Sequence, residues 1–314
     1  VSGTSPLSGL RAAWRFAIGM FTVFPIRPGD TDGGVDRRVA GRGMVLAPFV
    51  GVILGLVPAA VLVTVHWLSG SALLAAVLAV GTLAWLTRGL HLDGLADLAD
   101  GLGSGKPATA ALDIMKRSDI GPFGVVTLVF TLLSQIAALS AAPALAPAAL
   151  VAACATGRLA VTWACRDGVP AARPGGLGAL VAGTVRRSRA ITATALAALA
   201  VALLGSATAL WALQPWPGGG RTSLPISTQD NVHLPGRSLI GGLDVTPAGT
   251  FLSTSLSTPL STVLVLLLAM AAGLGAAALV RRRAVRRLGG ITGDVLGALV
   301  ETATTAALLV CALL

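Results

Sequence analysis

The sequence predicts an all-α polytopic membrane helix bundle of about seven transmembrane helices. Three observations carry this. Hydrophobic residues make up 54% of the 314 positions and charged residues only 11%, against about 25% charged in a soluble domain. Mean hydropathy is +0.83. The apolar residues also run in stretches of roughly 20, the length that crosses a bilayer as a helix. A chain of this composition cannot cover a globule with polar groups, so lipid is its solvent. Backbone satisfaction in hydrocarbon then selects helices. The whole chain reads as one integral-membrane domain, residues 1–314.

At the N-terminal end, Leu7, Leu10, Trp14 and Ile18 oppose Arg11 and Arg15, the pattern of an interfacial helix. The short apolar stretch Phe16–Phe24 runs into Pro25 rather than a small-residue cleavage site, so it is not read as a signal peptide. Seven runs follow that can cross: about 46–66, 71–90, 122–143, 147–165, 190–213, 262–280 and 295–314. They are rich in Ala and Gly, which permits close helix packing in lipid. Between the fifth and sixth, residues 214–261 are rich in Pro, Gly, Ser and Thr without periodicity, and read as a flexible outer loop.

The formal charge is +10, yet nucleic acid is not the partner it suggests. The arginines stand beside apolar runs, at 186–189 and 281–287, as cytoplasmic loops of membrane proteins do. Placing those two loops inside also places Arg37, Arg38, Arg42 and the segments 91–121 and 166–189 inside. The N-terminus is then cytoplasmic and the C-terminus external, with the working residues on the cytoplasmic face of the cell membrane. Cys154, Cys165 and Cys311 all lie in apolar runs without metal-ligand spacing.

Acidic residues number 13, and three of them fall in His91-Leu92-Asp93-Gly94-Leu95-Ala96-Asp97-Leu98-Ala99-Asp100. Asp93, Asp97 and Asp100 stand at i, i+4 and i+7 and share one helix face. No Lys or Arg lies among them, so a divalent cation would relieve their repulsion. Carboxylates are hard oxygen ligands suited to Mg²⁺, which commonly takes one or two of them plus substrate phosphates. His91 at the same boundary is a weaker candidate for the substrate. A second group, Lys116-Arg117-Ser118-Asp119 before Gly121-Pro122-Phe123-Gly124, pairs cations with a glycine turn of the sort that holds phosphate oxygens. Arg173, followed by Pro174-Gly175-Gly176-Leu177-Gly178, is a third candidate anion cradle. The fourth is Gly289-Gly290-Ile291-Thr292-Gly293-Asp294, leading into the last span with Glu301, the sole glutamate. An acid inside an apolar segment is functional by default.

In order and spacing, Phe21-Thr22-Val23-Phe24-Pro25, Gly89–Asp97, Ile114-Met115-Lys116, the Arg173 loop and Gly289–Asp294 with Glu301 resemble the cobalamin synthase family. These are the adenosylcobinamide-GDP ribazoletransferases of adenosylcobalamin assembly. The resemblance covers nearly the whole chain. It departs after Ile-Met, where the family often reads Lys-Asp-Ser-Arg, and in the length of the 214–261 segment. It implies a Mg²⁺-dependent transfer in which adenosylcobinamide-GDP is joined to α-ribazole, or its 5′-phosphate, and GMP leaves. Asp93, Asp97 and Asp100 would then hold the metal, and one of them or Asp294 would be the base. His91, Lys116, Arg173 and Glu301 would serve the substrates. A CDP-alcohol phosphotransferase uses similar metal logic, but its Asp-x-x-Asp-Gly-x-x-Ala-Arg pattern fails here, since Leu102-Gly103-Ser104 follows Asp97-x-x-Asp100-Gly101. A transporter would need more polar residues at mid-membrane than Glu301, Gln135 and Arg158.

Overall fold

The computed structural model describes residues 6–24, 36–213 and 259–314. Most of the expected outer loop, and Pro25 of the N-terminal motif, lie outside the described residues. Eleven helices are described: α1 (Pro6–Phe21), α2 (Arg37–Ser69), α3 (Ala72–Leu86), α4 (Leu90–Gly103), α5 (Ala108–Ile114), α6 (Pro122–Ala141), α7 (Ala146–Ala164), α8 (Gly176–Val181), α9 (Arg187–Leu213), α10 (Pro259–Leu288) and α11 (Gly293–Leu313). Six of these, α2, α6, α7, α9, α10 and α11, are long and apolar enough to cross a membrane.

The expected second span is the one that differs. Instead of running from 71 to 90, the chain stops at Leu86, turns through Thr87-Arg88-Gly89, and resumes as α4 bent by 88°. Arg88 (φ 54°) and Gly89 (φ 66°) are both left-handed, a region that a non-glycine residue rarely enters. That pair of residues makes the corner. At 15 residues, α3 is about 22 Å long, short for a hydrocarbon core of about 30 Å. Counted with α3, the bundle has the seven crossings expected. α4 itself lies across one end of the bundle, since it touches the first turns of both α6 and α11.

Two other differences are of length. α2 begins at Arg37, where the Asp36 side chain accepts from the Val39 N–H as an N-cap. α10 continues through the arginines to Leu288. Basic residues are good helix formers, so the apolar stretch marks less than the full helix.

Small residues set the spacing of the bundle. α7 is its centre, with 89% of its apolar window buried. A Cβ at Gly51 or Gly55 of α2 would lie 2.4 Å from the Cys154 carbonyl oxygen or 2.7 Å from Val151 Cα. One at Gly157 would meet Thr304 Oγ1 at 2.7 Å, and one at Gly273 the Ala303 carbonyl at 2.6 Å. Helices lacking a hydrophobic drive in lipid associate through such contacts. The large side chains turn outward instead: Leu56, Val63, Val126, Phe130, Leu133, Leu199 and Leu203 are all exposed, as a lipid-facing surface requires. α1 packs on α2, burying Ala13, Ala17 and Phe21 and laying Phe16 over Gly43.

The loops at the α4 end are stitched by backbone. Ala172 N–H donates to the Ile291 carbonyl (3.0 Å) and Ile291 N–H to the Pro170 carbonyl (2.9 Å). Asp167 N–H donates to the Val185 carbonyl (2.9 Å), and Val185 N–H to the Cys165 carbonyl (3.0 Å). A Cβ at Gly178 would sit 2.4 Å from the Ile291 carbonyl oxygen, and one at Gly290 would sit 2.4 Å from the Ala171 carbonyl carbon. Gly178, in the loop expected to cradle an anion, therefore has a prior task, the close approach of two loops.

Candidate functional site

The site forms where α4 crosses the start of α11. Gly94 makes the crossing possible: a Cβ there would lie 2.7 Å from the Asp294 carbonyl oxygen and 2.9 Å from its Cα. Gly297 answers from α11, facing His91 Cα at 3.1 Å. The glycine inside His91–Asp97 and the aspartate ending the 289–294 motif are thus in contact, although 200 positions separate them.

Along α4 the three aspartates have different surroundings. Asp93 is exposed, Asp97 is half-buried and Asp100 is buried. Asp100 accepts from the Gly121 N–H at 2.7 Å and the Gly124 N–H at 2.9 Å, one on each carboxylate oxygen. It caps α6 from another helix, placing negative charge at the positive end of the α6 dipole. Gly121 and Gly124 are glycines for this reason, as a Cβ on either would come within 2.5 Å of the Asp100 carboxylate.

Asp97 carries the electrostatic signature of the site. Its carboxyl is pushed up to about 7, first by burial and then by the charges of Asp93, Asp294 and Asp100, with Arg173 pulling the other way. Four carboxylates therefore act on one another here. Arg173 stands beside them, donating to the Leu112 carbonyl, while its buried Nε has no hydrogen-bond partner. Asp294 is held by the Thr292 hydroxyl at 3.2 Å, and that hydroxyl also caps α11 by accepting from the Val295 N–H.

The other candidates stand apart. Lys116 is exposed and pairs with Asp113 at 3.6 Å, although an exposed pair of this kind contributes little. His91 and Glu301 are both buried. His91 Nδ1 lies 3.5 Å from an Arg158 guanidinium nitrogen, and its ring is 6.0 Å from that of Phe21. Glu301 accepts from Gln135 Nε2 at 2.9 Å, and the same nitrogen donates to Thr305 Oγ1. Together these residues form a polar layer beneath the aspartates, joining α4, α6, α7 and α11.

One cleft adjoins the aspartates and another lies beside Arg173. The first, about 220 Å³, is lined by Asp97, Asp100, Lys106, Arg117 and Asp119. The other, about 420 Å³, lies between Arg37 and Arg173. Lys106 and Arg37 were not singled out from sequence. Lys106 is a lone cation near a helix end and Arg37 stands in a run with Arg38 and Arg42, so both are indistinguishable there from a topology signal. Among the described residues, no three His, Cys, Asp or Glu side chains converge into a closed metal cage. The cluster instead suits an open donor set, in which one or two carboxylates and substrate phosphates share the ion.

Comparison with known proteins identifies the family. The family model described as Cobalamin-5-phosphate synthase matches residues 13–312. An adenosylcobinamide-GDP ribazoletransferase of Frankia casuarinae is 41% identical over 95% of this chain and 94% of its own length. Enzymes of the same name from Nocardioides sp. (35% identical, 96% and 98% covered) and Bradyrhizobium diazoefficiens (33%, 99% and 97%) also align end to end. No solved structure matches. With both family motifs meeting at one end of a bundle that the family model spans almost completely, the chain belongs to the cobalamin-5-phosphate synthase family.

Proposed function

We propose that the aspartate cluster between α4 and α11 is where this chain acts as an adenosylcobinamide-GDP ribazoletransferase, a transferase of cobalamin synthesis. The observation that carries the reading is the contact of Gly94 with Asp294, which joins the two most specific motifs into one acidic site beside Arg173. The substrates are adenosylcobinamide-GDP and α-ribazole, or its 5′-phosphate, and GMP is the leaving product.

Of the three aspartates expected to hold Mg²⁺, Asp93 and Asp97 are proposed as its direct ligands, and when bound the ion would neutralise phosphate charge. Asp100, whose two carboxylate oxygens accept the Gly121 and Gly124 N–H groups, completes the acidic field. Asp294, oriented by Thr292, or one of the α4 aspartates would accept the proton of the incoming ribazole hydroxyl. Arg173, with Lys116 and the cations of the two clefts, would bind the nucleotide phosphates. His91 and Glu301, expected to meet substrate, would act from beneath by fixing α4 and α11. The assay is GMP release by the purified protein from adenosylcobinamide-GDP and α-ribazole, with and without Mg²⁺. Turnover that survives complete chelation would overturn the metal assignment, and no turnover with either form of ribazole would overturn the reaction.

Proton and metal should compete at this site. With Asp97 titrating near 7, the Mg²⁺ concentration for half-maximal rate is expected to rise as pH falls from 8 to 6, approaching about tenfold per unit for one displaced proton. The sign for stability follows from the same shift. A carboxyl whose folded-state value is raised makes the metal-free protein lose stability as pH rises from about 4 to about 7, and Mg²⁺ should restore it. A half-maximal Mg²⁺ concentration independent of pH would remove Asp97 from the donor set.

The arginine distribution supports the site facing the cytoplasm. Single cysteines at Ser118, in the loop before α6, and at Ser69, ending α2, are exposed positions at opposite ends of the bundle. In a background lacking Cys154, Cys165 and Cys311, an impermeant thiol reagent should reach Ser69→Cys from outside and Ser118→Cys only after lysis. The reverse pattern would invert the orientation.

A further inference from the structure

On the side of the 166–174 loop away from Arg37, a cleft of about 420 Å³ is lined by Arg166, Arg281, Arg282 and Arg286, with Leu279 and Val285. Among the described residues no carboxylate lines it. Arg166 Nε is buried without a hydrogen-bond partner. Arg281 is half-buried, and one of its nitrogens donates to the Trp163 carbonyl at 3.0 Å. An orienting positive flank needs only charge near the membrane surface; it does not need four guanidinium groups walling one concavity.

Arg281 lines a second hollow as well. This groove, about 310 Å³, runs along α7, α9 and α10 between Ala160, Trp163, Thr194 and Leu274, toward Gly275. It is apolar except for Arg281 and Thr194, and the Thr194 hydroxyl accepts from Trp163 Nε1 at 2.9 Å. Gly275 faces open space, with nothing within 4 Å of where its Cβ would stand. An apolar groove beside the spanning helices, crowned at the loop end by four uncompensated cations, has the two-part chemistry of one amphiphile: a phosphate head and an acyl chain.

We propose that this surface binds an acidic phospholipid, its phosphate in the arginine cleft and one chain in the groove beside Trp163. A free phosphate would satisfy the cleft but leave the groove without an occupant. The site is separate from the aspartate cluster, so the lipid would brace α10 and the loop that carries Arg173 without joining the chemistry.

The test uses the full chain in vesicles, with brominated phosphatidylglycerol or brominated phosphatidylcholine quenching tryptophan fluorescence. The phosphatidylglycerol should quench in excess, and Trp163→Phe should remove that excess. Arg282→Gln with Arg286→Gln, both at exposed positions, should lower the preference by roughly 30-fold, given the pull of an anionic surface on each basic residue. Gly275→Trp, which fills the groove and leaves every charge in place, should also abolish the excess. Equal quenching by the two lipids would overturn the proposal. So would displacement of the excess by millimolar inorganic phosphate or GMP, which would make the cleft a site for soluble phosphates.

Discussion

Asp97→Asn should cost at least about 100-fold in Mg²⁺-dependent turnover, the scale at which a positioned carboxylate contributes to transfer chemistry, while the protein inserts and folds normally. The reason lies in where Asp97 stands. It is half-buried, within the field of three other carboxylates, and opposed by Arg173. None of that repulsion stabilises the fold, so it persists because the site uses it. The substitution therefore carries a second signature that a structural role would not produce. At pH 8 without Mg²⁺, Asp97→Asn should unfold at a higher temperature than the wild type, since one of the mutually repelling charges is gone. At pH 5 the difference should vanish, because Asp97 is then already protonated in the wild type. Full activity at limiting Mg²⁺ would take the cluster out of the mechanism, and lower stability at pH 8 would make Asp97 a packing residue.

Much of this architecture could be read from the sequence because lipid simplifies the code. Apolar length finds crossings, and the runs near 122–143, 147–165, 190–213 and 295–314 coincide with α6, α7, α9 and α11 to within a few residues. The run near 71–90 failed to show its corner. Thr87-Arg88-Gly89 break the run only briefly before Leu90, and the turn needs Arg88 as well as Gly89 in a left-handed conformation, which composition does not signal for an arginine. Site residues divide in the same way. The i, i+4, i+7 spacing put Asp93, Asp97 and Asp100 on one face, but it could not show that Asp100 reaches across to Gly121 and Gly124. A tertiary cap has no local pattern. The glycines of the 172–178 loop looked like an anion cradle, whereas Gly178 and, from the 289–294 segment, Gly290 let two backbones touch. Only the joint appearance of the motifs in order pointed to a single site.

Glu301→Gln should lower stability by roughly 1–2 kcal/mol, the scale of weakening a charge-assisted hydrogen bond in a buried polar layer. The sequence points to a functional role for this residue, as an acid inside an apolar segment. The structure supplies a cation. Arg158, on α7, is 1% exposed and close enough for its field to act on Glu301. Its Nε has no hydrogen-bond partner, and its nearest polar contacts are the Cys154 carbonyl and His91 Nδ1, both at 3.5 Å. Gln at position 301 would still accept from Gln135, so the local hydrogen bond survives while Arg158 loses its counter-charge. Arg158→Gln should be damaging for the converse reason. The double variant should recover much of the loss, because two neutral amides replace two charges, and the resulting coupling measures the pair directly. Turnover in Glu301→Gln should fall along with the unfolding temperature, since α11 carries Asp294 seven residues earlier. A variant with wild-type stability and no activity would put Glu301 to work on the substrate or the metal instead. Additive losses in the double variant would show that Arg158 and Glu301 do not form a pair.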